Sequence, residues 1–306
     1  MGITFYSNIY SAKKLHNSGF RFRVLTPSYR NKNIVVTRNP KKMTKIVMVF
    51  YSDVKKEQLE DIKSLKQKHI IGFDLCDNYT VREREVYNHM LEIADFVTCA
   101  TSFLKKQLDE YFNFLKPTYV IEDPVWYNIS EPSFEPNDTL KILLIENDPL
   151  REEAVEKRIN EIVNHFKVNI TLMSRRPLNV SFDHNLVDFD LKKQELYTKN
   201  ADFVMLPSNP SDKWLNSKSP NRVMDSMACG TMVIADKIDS YLPFSPFAEI
   251  TDDFVKSVEH CLENRKLTLE RIKNGQIFIE KNFSKKIIRN KWNDLSYTLN
   301  KNIRWY

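Results

Sequence analysis

Lys218-Ser-Pro-Asn-Arg-Val-Met-Asp-Ser-Met-Ala-Cys-Gly-Thr-Met-Val-Ile-Ala235 sets a helix start, a short amphipathic helix, a glycine stop and a buried strand in one uninterrupted run. Ser219 is a favourable N-cap and Pro220 a favourable first helical residue, which predicts a helix to about Cys229. Gly230 ends it, because glycine adopts the left-handed backbone of a helix stop without steric penalty. Thr231 to Ala235 is an apolar, β-branched run of strand length. The unpaired N–H groups and positive end of such a helix stabilise an anion by roughly 0.3–1 kcal/mol. Lys218 and Arg222 flank that end, and Asn221 and Asp225, four apart, share a face. Val223, Met224, Met227 and Ala228 form the buried side. Arg222 and Asp225, three apart, equally suit a helix salt bridge, and both readings stand.

The segment resembles the donor-binding helix of GT-B glycosyltransferases, in particular family 4, the glycosyl transferases group 1. In that family a glutamate, seven residues and a second glutamate precede a small-residue helix, a glycine and a Val-Ile-Ala-type strand. Asp225 falls on the second glutamate, which there holds the donor's ribose hydroxyls, and Ser217 falls on the first. Some members carry Lys-x-Pro-Asn instead, the form matched by Lys218, Pro220 and Asn221. Ala94-Asp-Phe-Val-Thr-Cys-Ala-Thr-Ser-Phe103 resembles the end of the family's first domain, and Val120 to Pro124 its exit into a linker. Asn282-Phe283-Ser284 resembles its C-terminal signature, whereas Ser7-Asn8-Ile9 departs from its glycine-rich first loop. The resemblance implies an α/β protein of two Rossmann-like, doubly wound domains facing a cleft.

The rest of the chain agrees with that architecture. Apolar runs at Ile3–Ser7, Ile46–Tyr51, His69–Leu75, Asp95–Cys99 and Thr118–Ile121 alternate with charged helical stretches, which argues for a parallel sheet. Ile9 to about Asn17 reads as a short helix, Phe20–Leu25 as a half-exposed strand by its Phe-Arg-Phe-Arg alternation, and Ile34–Val36 as a minor strand. Residues 1–125 form an expected acceptor domain and 126–138 an expected linker, within a stretch from Pro124 to Asp138 that holds three prolines. Residues 139–284 form an expected donor domain opening at Leu140–Ile145, and in GT-B folds a last helix like 285–306 usually crosses back to the first domain.

The 306 residues are 42% hydrophobic, 12% aromatic and 28% charged, a globular composition with no apolar run long enough to span a membrane. The start lacks a secretory signal pattern. Cys76, Cys99, Cys229 and Cys261 have no metal or disulfide spacing and read as reduced, buried thiols of a cytoplasmic protein. The net charge is +6, yet Met1 to Lys45 holds ten Lys/Arg and no acid, while the remainder has 36 basic and 40 acidic residues. A solvated basic face and a polyanion contact both fit; the contact would use Lys13, Lys14, Arg21, Arg23, Arg30 and Lys32.

In open parallel sheets ligands bind beyond the carboxyl ends of strands. In the second domain that edge gathers Ser208, Lys218, Ser219, Asn221, Arg222 and Asp225, suited to a nucleotide-diphosphate sugar, UDP- or GDP-linked, as co-substrate. Trp214 lies in the loop before Lys218, and Arg151 follows that domain's first strand. In the first domain the same edge gathers Asp53, Asp74 and Asp77, each a candidate general base and each equally able to shape a turn or cap a helix. The family resemblance implies retention of anomeric configuration, which requires no dedicated base. Metal-independent chemistry is expected, with no cofactor and with the helix end and its cations taking the place of Mg²⁺. The chain therefore reads as a glycosyltransferase whose acceptor is anionic, with a lean to DNA carrying hydroxymethylated bases. The alternatives are a cell-surface polysaccharide or lipid-linked glycan acceptor, a sugar-nucleotide epimerase, and a non-catalytic nucleotide-sugar or polyanion binder.

Overall fold

Strand side chains alternate between two faces, so a sheet covered on both sides reads as continuously apolar. Val47-Met-Val-Phe-Tyr51 is such a strand: every residue is buried, Met48 and Phe50 in one core cluster and Val47, Val49 and Tyr51 in another. The structure, a computed structural model, describes residues 2–7, 19–37, 45–77, 84–112, 116–146 and 151–302. Contacts divide the chain into two compact units. Unit 1 comprises Met1–Pro124, Ser217–Ser219 and Phe283–Tyr306, and unit 2 comprises Val125–Asn216 and Pro220–Asn282.

Unit 1 holds β1 (Ile3–Tyr6), β2 (Ile34–Thr37), β3 (Val47–Tyr51), β4 (Ile70–Leu75), β5 (Phe96–Cys99) and β6 (Thr118–Val120), all parallel, in the order β2-β1-β3-β4-β5-β6. Its helices are α1 (Thr26–Ser28), α2 (Leu59–Leu65), α3 (Arg84–Ile93) and α4 (Ser102–Phe112). Leu59 and Ile62 of α2, Met90 and Leu91 of α3, and Leu104 and Leu108 of α4 fill the core on one face. The helix Lys285–Asn302 contributes Ile288, Trp292, Leu295 and Leu299 to the core on the other. Trp292 is fully buried and meets Phe5 of β1 edge-on at 4.8 Å.

The Phe20–Leu25 segment corrects the sequence reading. It is a π-helical turn running into α1, with Phe20, Arg21, Phe22, Arg23 and Val24 all buried. The alternation predicted arginines facing water on a strand. Instead Arg23 lies in the core, because two carboxylates from distant parts of the chain meet it there. The predicted helix at Ile9–Asn17 lies outside the described residues.

Unit 2 holds β7 (Leu140–Ile145), β8 (Val168–Ser174), β9 (Asn185–Asp188), β10 (Phe203–Leu206), β11 (Met232–Ala235) and β12 (Glu249–Ile250). The order β12-β11-β10-β7-β8-β9, all parallel, is that of a doubly wound dinucleotide-binding sheet. Its helices are α5 (Glu152–Val163), α6 (Leu191–Asn200), α7 (Lys213–Asn216), α8 (Asn221–Ala228), α9 (Phe254–Glu263) and α10 (Arg265–Phe283), and the chain closes with α11 (Lys285–Asn302). Phe283 and α11 belong to unit 1 by their contacts, and α11 packs on α1 and β3.

Helix α8 ends as its glycine requires. Gly230 has φ +84°, its N–H donates to Met227 O, and Thr231 N–H donates to Ser226 O, the paired bonds of a Schellman stop. A Cβ on Gly230 would also stand 2.8 Å from Pro132 Cα and 3.0 Å from Glu131 O. Conformation and space thus both select glycine at this position.

Candidate functional site

In a doubly wound sheet the crevice opens where neighbouring strands send their chains to opposite faces. In unit 2 that switch point lies between β7 and β10. The residues leaving these strands are Glu146 after β7 and Ser208, two residues beyond β10; Asp236 leaves the adjacent strand β11. Arg222 joins them from the first turn of α8.

Glu146 is the centre of the cluster. It is buried, and its Oε2 accepts from Arg222 Nη1 at 2.8 Å and from Arg151 Nη1 at 3.2 Å. Arg222 Nη2 approaches Oε1 at 3.4 Å. Arg151 is buried, whereas the Arg222 side chain keeps 25% of its surface. Asp236 forms a second node: Oδ2 accepts the Ser208 N–H at 2.8 Å, and Oδ1 accepts from Arg158 Nη2 at 2.7 Å and Nε at 3.1 Å. Burial lifts the Asp236 carboxyl above its usual range, with Arg158 and the Ser208 amide pulling the other way. Ser208 is buried, and among the described residues its Oγ has no hydrogen-bond partner.

The remaining expected donor residues are distributed as follows. Asn221 starts α8 and is half-buried. Asp225 is buried and accepts the Trp126 N–H at 2.8 Å. Arg222 pairs with Glu146 at the strand end, and not with Asp225 as the alternative reading of a helix salt bridge had it. Lys218 and Ser219 are half-buried and lie in the stretch that clusters with unit 1. Ser219 is not the N-cap: the carbonyl of Pro220 accepts the first helical bond, from Met224 N–H, and Pro220 at ψ 25° stands just outside the helical well. Trp214, expected in a loop, is buried in α7. Glu146 was missed by sequence reasoning; the available signal was an acid directly ending a central apolar strand.

In unit 1 the switch point lies between β1 and β3. Ser7 follows β1, Asp53 follows β3, and Ser7 Oγ donates to Asp53 Oδ2 at 2.8 Å. Asp77 is half-buried beside Cys76, whose thiol burial pushes up to about 12. Asp74 is a different case. It is fully buried, bridged by both Arg23 Nε and Nη2, and accepts Thr98 Oγ1 at 2.6 Å. A carboxylate enclosed in this way is a structural counter-ion, and its candidacy as a base is withdrawn. Arg23 Nη1 reaches Ile121 O and, at 3.4 Å, Asp123 Oδ1. Burial works against the Arg23 charge, but Asp74 outweighs it and raises its pKa.

The same burial corrects the polyanion set. Arg21 and Arg23 are buried in the core, away from the surface a polyanion would meet. Arg30 and Lys32 are exposed, and Lys13 and Lys14 lie outside the described residues. All four cysteines are free and buried. Asp188-Phe-Asp190 has Asp-x-Asp spacing, but Asp190 caps α6 by accepting the Lys192 and Lys193 N–H groups. Among the described residues no cluster of three or more His, Cys, Asp or Glu is placed to hold a metal, and no helix is long and apolar enough to cross a membrane.

No family model and no curated protein matches the sequence. Solved structures do match. A glycosyltransferase from Rickettsia africae ESF-5 superposes with TM-score 0.69 at 12% identity, over 98% of this chain and 99% of that one. HepE from Anabaena, solved with UDP-glucose, gives 0.66 at 12% identity over 97% and 100%. Sucrose-phosphate synthase from Thermosynechococcus elongatus gives 0.62 at 14% identity over 85% and 75%. The fold is GT-B. At these identities the likeness is one of architecture.

Proposed function

We propose that this protein is a glycosyltransferase that moves a sugar from a nucleoside-diphosphate sugar, UDP- or GDP-linked, to an acceptor hydroxyl. One observation carries the reading. At the switch point of a GT-B sheet, a partly exposed arginine stands on the first turn of a helix beside a serine hydroxyl that lacks a partner among the described residues. HepE, of the same fold, binds UDP-glucose. Arg222, Ser208 and the first N–H groups of α8 receive the diphosphate, and Asp225 lies one turn further along the helix for the ribose. Charge grows on the diphosphate as the glycosidic bond breaks, and fixed cations and amides lower that barrier. They act without a metal ion in this reading, so chelators leave turnover unchanged. Asp53, at the unit 1 switch point, is the leading candidate for an acceptor base and Asp77 the second.

A thermal-shift screen over nucleoside diphosphates and their sugars tests the donor. Binding raises the melting temperature in proportion to affinity and concentration. UDP or GDP and a cognate sugar should give the largest shift, and Lys218→Ala and Asp225→Asn should abolish transfer. No shift with any nucleotide sinks the reading, and shift without transfer or hydrolysis assigns the non-catalytic binder. For the acceptor, Arg30 and Lys32 keep a polyanion such as DNA in view. Transfer to DNA should weaken steeply between roughly 50 and 200 mM salt. Salt-insensitive transfer to a neutral glycan assigns the polysaccharide alternative instead.

A further inference from the structure

Arg222 is not idle in this structure. Both of its η nitrogens face one carboxylate, Glu146, at 2.8 and 3.4 Å. An anion arriving at the switch point therefore meets a guanidinium that is already paired, beside a carboxylate of its own sign. The third member makes the arrangement reversible. Arg151 is buried and donates to the same Oε2 at 3.2 Å. Removing one partner of a buried ion pair is strongly unfavourable because a charge is left uncompensated. Here Glu146 can release Arg222 and keep Arg151, so the carboxylate is never left alone. Two guanidinium groups thus share one carboxylate.

We propose that Glu146 is an internal anion that holds Arg222 until a diphosphate displaces it, and so sets how strongly charged a ligand must be to bind at the unit 2 switch point. This rests on the donor reading above. Glu146 touches no reacting atom in this scheme; it acts through Arg222 on affinity and selectivity. A diphosphate, with two phosphoryl groups, outcompetes a single carboxylate for a bidentate guanidinium. Uridine lacks an anion and is indifferent to the contest. The exposure difference fits these roles: Arg222 keeps a quarter of its side-chain surface, whereas Arg151 keeps 1% and stays with Glu146.

Calorimetric titration of the full chain with UDP, inorganic pyrophosphate and uridine tests the proposal. Glu146→Gln keeps the shape and removes the charge. It should bind UDP and pyrophosphate roughly tenfold more tightly than the parent, equivalent to about 1.4 kcal/mol. Uridine binding should not change, and adding Arg222→Ala should erase the gain. Glu146→Gln leaves Arg151 buried without its carboxylate, so the double variant Glu146→Gln/Arg151→Gln serves where the single one does not fold. A folded variant that binds UDP no tighter than the parent overturns the proposal, as does a gain that survives Arg222→Ala. If the parent binds UDP and the variant shows no gain, this inference fails alone. If neither parent nor variant binds UDP or pyrophosphate, the donor reading fails and takes this one with it.

Discussion

Each unit buries an arginine–carboxylate cluster near the carboxyl edge of a parallel sheet, and the two clusters have opposite arithmetic. In unit 1 one arginine, Arg23, faces two carboxylates, Asp74 and Asp123, and all three are sealed from solvent. In unit 2 two arginines face one carboxylate, and one of the arginines reaches water. The first arrangement has no cation left over and no surface to offer, so its work is to pin the π-helical turn to β4 and to the exit from β6. The second has two guanidinium groups on one carboxylate and an opening. The difference teaches that a buried arginine near a strand end is no sign of a binding site by itself; the ratio of charges and the exposure of one member decide.

The largest expected effect breaks the unit 1 cluster. Arg23→Met leaves Asp74 without its counter-charge and also removes the guanidinium that lies over the Trp292 ring at 5.5 Å. Losing one partner of a buried pair costs about 3–5 kcal/mol, read as a lowered urea midpoint. A loss below about 1 kcal/mol, the range of exposed pairs, would place the cluster outside the stabilising core. Arg222→Ala should behave in the opposite sense. Glu146 retains Arg151, so the urea midpoint should move little, while UDP affinity should fall roughly tenfold, about 1.4 kcal/mol. A large stability loss with unchanged UDP affinity would make the two clusters alike.

The smallest effect concerns two buried thiols, one in each unit. Burial, reinforced by Asp77 at Cys76 and by Asp225 at Cys229, pushes both pKa values up to about 12. A thiol whose folded pKa is raised above its unfolded value, about 8.5, contributes stability in full below that value. The contribution is lost as pH rises through the folded pKa, because only the unfolded chain releases its protons. Stability should therefore fall between about pH 9 and 12, and the native protein should resist a thiol alkylating reagent at pH 8. Rapid alkylation of the folded chain at that pH would show that these cores open locally.

Much of the sheet was legible because its signal is local. Leu140–Ile145 is a strand to the residue, and Met232–Ala235 and Phe96–Cys99 differ from their sequence readings by one residue at an end. Apolar strands covered on both faces announce themselves without help from the rest of the chain. Phe20–Leu25 did not. Its Phe-Arg alternation fits a half-exposed strand, and what converts it to a buried helical turn is Asp74, 51 residues away. The anion-binding character of α8 was visible in Arg222, but the one partner the sequence offered as an alternative was the local Asp225, and the carboxylate it meets is Glu146, 76 residues upstream. Charge pairing across the fold is the part of a site that periodicity cannot report.

The contact of Phe5 with Trp292 joins the first strand of the chain to its last helix. During synthesis, the face of the unit 1 sheet that α11 covers stays open until Lys285–Asn302 has left the ribosome. Unit 2 lies between these two ends in sequence and has every residue it needs beforehand. Domains generally fold as units as they emerge, and long-range closure is slow. The first half of the chain to be made is therefore the last to be finished, and a nascent chain stalled before Lys285 would carry a complete second unit and an unfinished first.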